Sequence, residues 1–107
     1  MIIITGSVLT NRDNRTEIEA LCVSHSKRSR AESGCISHNV HSDCETPNLL
    51  VFVERWQDGA AVLAHFQVPE SGAFVKALTA LATEPPHMTI YAADEILPAA
   101  LAGLTQR

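Results

Sequence analysis

Leu49-Leu50-Val51-Phe52-Val53-Glu54-Arg55-Trp56 is the clearest strand in the chain, dominated by β-branched and aromatic side chains. Side chains alternate along a strand, so Leu50, Phe52, Glu54 and Trp56 share one face, and Leu49, Val51, Val53 and Arg55 the other. Both faces are largely apolar. An antiparallel sheet with one solvated face should instead alternate apolar with polar. Ile2 to Leu9 repeats the feature, with Ile2 and Ile4 on one side and Ile3 and Leu9 on the other. One layer of helices covers one face only. The second face calls for another protein surface, most simply a second copy of the same sheet. The other arrangement folds the C-terminal tail across it.

Upstream, Glu45-Thr46-Pro47-Asn48 reads as a turn and Cys35 to Asp43 as a strand, which makes a hairpin with the first stretch. Asn11-Arg12-Asp13-Asn14 is a turn with helix-capping chemistry. Asn14-x-x-Glu17 and Thr16-x-x-Glu19 both have capping-box spacing. The helix that follows runs to Glu32, with Ile18, Leu21, Cys22 and His25 on one face and Gly34 as its stop. Downstream, Asp58 is an N-cap for a helix to about Phe66. Pro69 starts another, with Phe74, Leu78 and Leu81 at helical spacing, and Glu84-Pro85-Pro86 breaks it. Met88 to Ala92 is a fourth strand. The order β-α-β-β-α-β predicts an α+β, ferredoxin-like antiparallel sheet with helices on one face, paired as a dimeric α+β barrel. Residues 1–94 form the domain. Residues 95–107 are a tail in which Ile96, Leu97, Leu101 and Leu104 suggest a short helix despite Pro98.

The 107 residues suffice for one domain, and 46% hydrophobic with 19% charged is ordinary for a soluble globular protein. A net charge of −4 and no basic stripe argue against nucleic acid as a partner. Lys27-Arg28-Ser29-Arg30 lies late in the first helix, where cations complement the helix dipole. No apolar run of roughly 18 residues is present to span a membrane. Met1-Ile2-Ile3-Ile4-Thr5 lacks the charged n-region of a signal peptide. Cys22, Cys35 and Cys44 are an odd number, which speaks against a disulfide framework and for a reducing cytoplasm.

Three segments carry a family likeness: Gly34-Cys35-Ile36-Ser37-His38, Val51-Phe52-Val53-Glu54-Arg55-Trp56, and Ala60-Ala61-Val62-Leu63-Ala64-His65-Phe66. Together they resemble the core pattern of antibiotic biosynthesis monooxygenase domains: a Gly-Cys opening strand two, a Glu-x-Trp ending strand three, and a helix with a histidine near its end. Val62-Leu63 stands where that family often has Ala-Leu. The resemblance spans about residues 1–94. It implies the dimeric α+β barrel and a range of chemistries on small molecules, among them oxygenation of phenols, anthrones and quinols without a cofactor. The fold alone does not choose among them. The heme-degrading relatives use an Asn of the first strand. Gly6 and Ser7 occupy that stretch here, which argues against heme degradation.

Glu54 and Trp56 share a strand face, and His65 shares the buried side of its helix with Val62 and Ala61. These three are the candidate catalytic residues, lining one pocket between sheet and helices. A histidine titrates near neutrality and can take a phenolic or enolic proton. Trp56 would hold a planar substrate by stacking, although tryptophans are commonly core residues too. Glu54 is costly to bury unless paired, so it pairs with His65 or another distant group, or lies exposed at the strand end. His38, on the strand face of Ile36 and Val40, is a candidate substrate contact, as are Phe52, Phe66, Phe74 and Tyr91. Cys35, His38, His41 and Cys44 have a zinc-like spacing. Residues three apart on a strand face opposite sides, however, so the four cannot converge on one ion and no metal is expected. Cys35 is read as packed rather than reactive.

The expected function is therefore a cofactor-independent monooxygenase that uses O₂ on a small aromatic phenol, hydroquinone or polyketide-like molecule, working as a homodimer. The alternatives are isomerase or lyase chemistry with the same histidine and no O₂, or a noncatalytic dimer that binds a small molecule.

Overall fold

A computed structural model describes residues 1–106. The chain runs β1 (Ile2–Leu9), α1 (Arg15–Ser29), β2 (Cys35–Ser42), β3 (Leu49–Trp56), α2 (Gly59–Gln67), α3 (Pro69–Leu81), β4 (His87–Ala92) and a 3₁₀ helix (Pro98–Gln106). The strands form one four-stranded sheet in the order β2-β3-β1-β4. Each neighbouring pair is antiparallel, with Ile4 opposite Glu54 and Ile90, and His38 opposite Glu54. This is the ferredoxin-like α+β fold, and the strand and helix order matches the one that the sequence predicts.

Helices cover one face. On β3, Leu50, Phe52, Glu54 and Trp56 are buried, whereas Val53 and Arg55 on the other face are exposed. Two apolar clusters form beneath the helices. One holds Val8, Ile18, Cys22, Leu50, Phe52 and Leu78. The other holds Ile4, Trp56 and Val62. The helices stop short of the edge strand β4, every residue of which is exposed. Ile90 and Met88 pair with Ile4 and Gly6, so they share the helix-side face, yet both are half uncovered.

Local chemistry departs from the sequence expectation in three places. No capping box forms at α1. Asn14 makes no side-chain cap; its Oδ1 accepts from the Asn11 N–H at 2.8 Å and its Nδ2 donates to the Leu81 carbonyl at 3.1 Å, tying the start of α1 to the end of α3. The helix also ends at Ser29 rather than Glu32. The turn that follows delivers Gly34 at φ +83°, where a Cβ would lie 2.5 Å from that of Ala61. Only glycine fits both the backbone angle and the contact. Finally, the β2–β3 register shifts between Cys35 and Ser37, a β-bulge that leaves Ile36 exposed. Ile36 thus leaves the face of His38, and Cys35, which packs with Trp56, joins it.

Candidate active site

Two features place His65. Asp58 Oδ1 accepts from the Ala61 N–H at 2.9 Å and fixes the start of α2, which turns Val62 and His65 inward. Pro69 then holds Val68 extended, so α2 ends there and α3 begins at a new angle. His65 is buried, and its Nδ1 lies 2.8 Å from Glu32 Oε1. A carboxylate can only accept, so Nδ1 carries the proton and Nε2 keeps the free lone pair. Of the alternatives for Glu54, the pairing with His65 does not form. Because α1 ends early, Glu32 stands in the turn and reaches His65 instead.

Glu54 finds partners closer by. Trp56 Nε1 donates to its Oε1 at 3.0 Å, and His38 Nε2 lies 3.3 Å from the same oxygen without hydrogen-bond alignment. On its other side, His38 Nδ1 is 2.8 Å from Ser26 Oγ. His25 completes the group. Arg28 Nη2 donates to His25 Nδ1 at 2.7 Å, and the ring stacks on Phe74 with centroids 4.0 Å apart and planes 5° apart. Burial, then the charges of His38, Arg28 and His65, push the His25 pKa down to about 3. His25 is therefore neutral at ordinary pH.

A cavity of about 230 Å³ opens beside these groups. Its walls include Phe52, Glu54, His65, Phe66 and Phe74, five of the residues singled out in the sequence. They also include His25, Gly6 and Ser71, none of which the sequence marks as a site residue. A Cβ at Gly6 would lie 3.7 Å from Phe52 Cβ and 3.3 Å from the His87 carbonyl, so the glycine keeps the floor low. Trp56 and His38 do not border the cavity. Trp56 is fully buried behind His65, ring centroids 4.6 Å apart, and belongs to the second apolar cluster. Tyr91 pairs with Ile3, which puts it on the uncovered face of the sheet, away from the cavity.

One ring nitrogen from each of His25, His38 and His65 lies within 4.8 Å of the others. Their proximity alone would suit a cation, but Arg28 works against one at His25. A guanidinium never accepts, so the His25 Nε2 carries the proton and cannot ligate while Arg28 stays in place. The zinc-like string of β2 is dispersed: His41 pairs with Val51 on the uncovered face, and Cys44 is exposed beyond the strand. The Cys35 thiol is pushed up in pKa by burial and by the nearby Glu54 and Glu32 carboxylates, and burial, then Glu19, pushes Cys22 up to about 12. Neither is poised as a nucleophile.

The fold and this interior define a ferredoxin-like domain with a histidine-lined pocket between sheet and helices. The chain belongs to the antibiotic biosynthesis monooxygenase family, whose model matches residues 1–77. It is similar to a protein from Deinococcus radiodurans assigned to those monooxygenases, at 25% identity and a TM-score of 0.86, covering 91% of this chain and 96% of that one. Rv0793 from Mycobacterium tuberculosis is similar at 23% identity and a TM-score of 0.82, covering 89% and 96%. A Nitrosomonas europaea protein of the same assignment is similar at 15% identity and 0.81, covering 89% and 100%. The last two share the fold. Among curated proteins none matches the chain.

Proposed function

We propose that this protein is a cofactor-independent monooxygenase of a small, planar phenol, hydroquinone or enolisable aromatic ketone. The observation that carries the reading is His65: a buried imidazole beside an apolar cavity, its proton held on Nδ1 by Glu32 and its lone pair left on Nε2. That is the arrangement of an oriented general base. Phe52, Phe66 and Phe74 supply an apolar aromatic wall. The cavity falls below the roughly 300–1,000 Å³ common for drug-sized ligands, which favours one or two rings.

In this scheme His65 Nε2 takes the substrate proton. The electron-rich anion passes one electron to O₂, and the radical pair combines to form a carbon–oxygen bond. The resulting peroxide takes the proton back from His65 and breaks its O–O bond as the carbon loses its hydrogen. One oxygen atom stays as a carbonyl and the other leaves as water. Purified, metal-stripped protein should take up oxygen with a member of a panel of hydroquinones, anthrones and catechols. His65→Ala should slow that uptake about 10²–10⁴-fold, the span of general acid–base catalysis. Unchanged uptake in the variant would remove His65 from the chemistry.

The working unit in this reading is a homodimer packed through the uncovered sheet face. Val53 (40% exposed) and Tyr91 (51%) are large apolar or aromatic side chains on that face, and a partner sheet would cover them. Val53→Lys should convert the dimer to a monomer in sedimentation. An unchanged mass would place the interface elsewhere.

A further inference from the structure

Two of the histidines that line the cavity, His25 and His65, are set as opposites. Glu32 holds the proton of His65 on Nδ1 and leaves Nε2 a lone pair. Arg28 does the reverse to His25: it occupies Nδ1 as a donor, so the proton sits on Nε2. The ring centroids are 5.3 Å apart, and a nitrogen of one lies within 4.8 Å of a nitrogen of the other. With each Nδ1 engaged by its charged partner, the free nitrogens are the two Nε2 atoms, a donor on His25 and an acceptor on His65, and both rings line the same cavity.

We propose that His25 is a second catalytic residue, whose Nε2–H binds the oxygen that His65 deprotonates, and that Arg28 is its positioning residue. The pair selects ligands with one ionisable hydroxyl on a planar ring, bound as the anion. This rests on the reading of the cavity as a phenol or enol site, and it names the partner that the base requires.

Charge bookkeeping supports the assignment. Behind the two rings lie one cation, Arg28, and one anion, Glu32. Glu32 Oε2 and Arg28 Nε are both buried without hydrogen-bond partners among the described residues. When a phenol hands its proton to His65, the row becomes guanidinium, neutral imidazole, phenolate, imidazolium and carboxylate. Opposite charges then alternate along it, with Glu54, a further carboxylate in the cavity wall, standing outside the row. A cationic His25 would break the alternation, and burial together with Arg28 keeps it neutral. The stack on Phe74 fixes the plane of the donor, so little reorganisation is needed as the oxyanion forms. A neutral histidine used as donor is a known strategy for stabilising developing enolates.

Binding of 4-nitrophenol tests this without any turnover, because its anion absorbs at longer wavelength than its neutral form and it resists oxidation. The parent protein should bind it as the anion, with ionisation at least tenfold more favourable than in water, about one pH unit lower. His25→Phe, which keeps a flat ring against Phe74, should bind the neutral phenol and lose that gain. His25→Gln, which keeps an N–H donor, should retain part of it. Long-range proton–nitrogen NMR of the unliganded parent should show His25 as the Nε2–H tautomer and His65 as the Nδ1–H tautomer. An unshifted ionisation in the parent, a full shift retained by His25→Phe, or an Nδ1–H His25 would overturn the donor role while leaving the oxygenase reading open to the uptake assay. Failure of the probe to bind at all would remove both. Stoichiometric uptake of Zn²⁺ or Co²⁺ that His25→Phe abolishes would overturn it differently, by showing that the three rings converge on a cation.

Discussion

Between the sheet and its helices lie two regions built from the same elements. Around Ile18 and Phe52 the interior is dry: Val8, Cys22, Leu50 and Leu78 close it. One turn further along α1, and two residues further along β3, the same inward face carries His25, Ser26, Ser29 and Glu54, joined by His38 and His65. Beyond that polar band a second dry cluster of Ile4, Trp56 and Val62 resumes. The change falls where β1 offers Gly6 between Ile4 and Val8, so the band is also where the interior is hollow. Buried apolar groups need only fill space. Buried polar groups must also be partnered, and here the partners come from outside the regular elements or from their ends: Glu32 in a turn, and Arg28 in the last turn of α1. The dry clusters carry stability, and in the proposed reading the band between them is organised for proton chemistry.

Truncating each region should separate the two roles. Ile18→Ala removes a fully buried side chain from the dry cluster and should cost about 2–5 kcal/mol of unfolding free energy. Urea unfolding measures that loss. The same variant should bind 4-nitrophenol with the ionisation of the parent. A change in ionisation as large as that of His25→Phe would mean that the two regions act as one and that the division is false.

How far each region is legible in the sequence follows from the same contrast. The dry clusters are periodic: Leu50, Phe52 and Trp56 at strand spacing, Ile18 and Cys22 at helix spacing. The four strands, the helices and the helix-side face all follow from those intervals. His65 is legible because the same helical spacing puts it beside Val62. His25 obeys the rule as well, and for that reason reads as core; periodicity reports burial and is silent on what the buried atom does. Glu32 is hidden because its role depends on α1 ending three residues early, and helix ends are set by turn geometry that pattern barely constrains. Arg28 reads as a dipole-compensating cation, although its guanidinium also holds His25. The bulge that displaces Ile36 defeats simple alternation on β2. Tyr91 and Trp56 read as substrate contacts because aromatics in a small domain look alike in sequence, and only register and layering tell wall from core.

Acid should sharpen the contrast by a smaller amount. His25 faces His38, His65 and Arg28 and stacks on Phe74, and its pKa falls from 6.5 to about 3 in the folded protein. Between those values the unfolded chain binds the proton and the folded chain does not. Stability therefore rises with pH through this window and is lost as pH falls below 6.5, by at most roughly 1.4 kcal/mol per pH unit from this group. The cleanest interval is pH 6.5 to 5, above the range in which carboxylates dominate the acid response. In urea unfolding across it, His25→Gln should show a shallower decline than the parent, whereas Ile18→Ala should start lower and fall in parallel with the parent. Equal slopes for the parent and His25→Gln would mean that His25 binds its proton as readily in the folded chain as in the unfolded one. The polar band would then hold a histidine able to carry charge, and the neutral donor assigned to it would lose its physical basis.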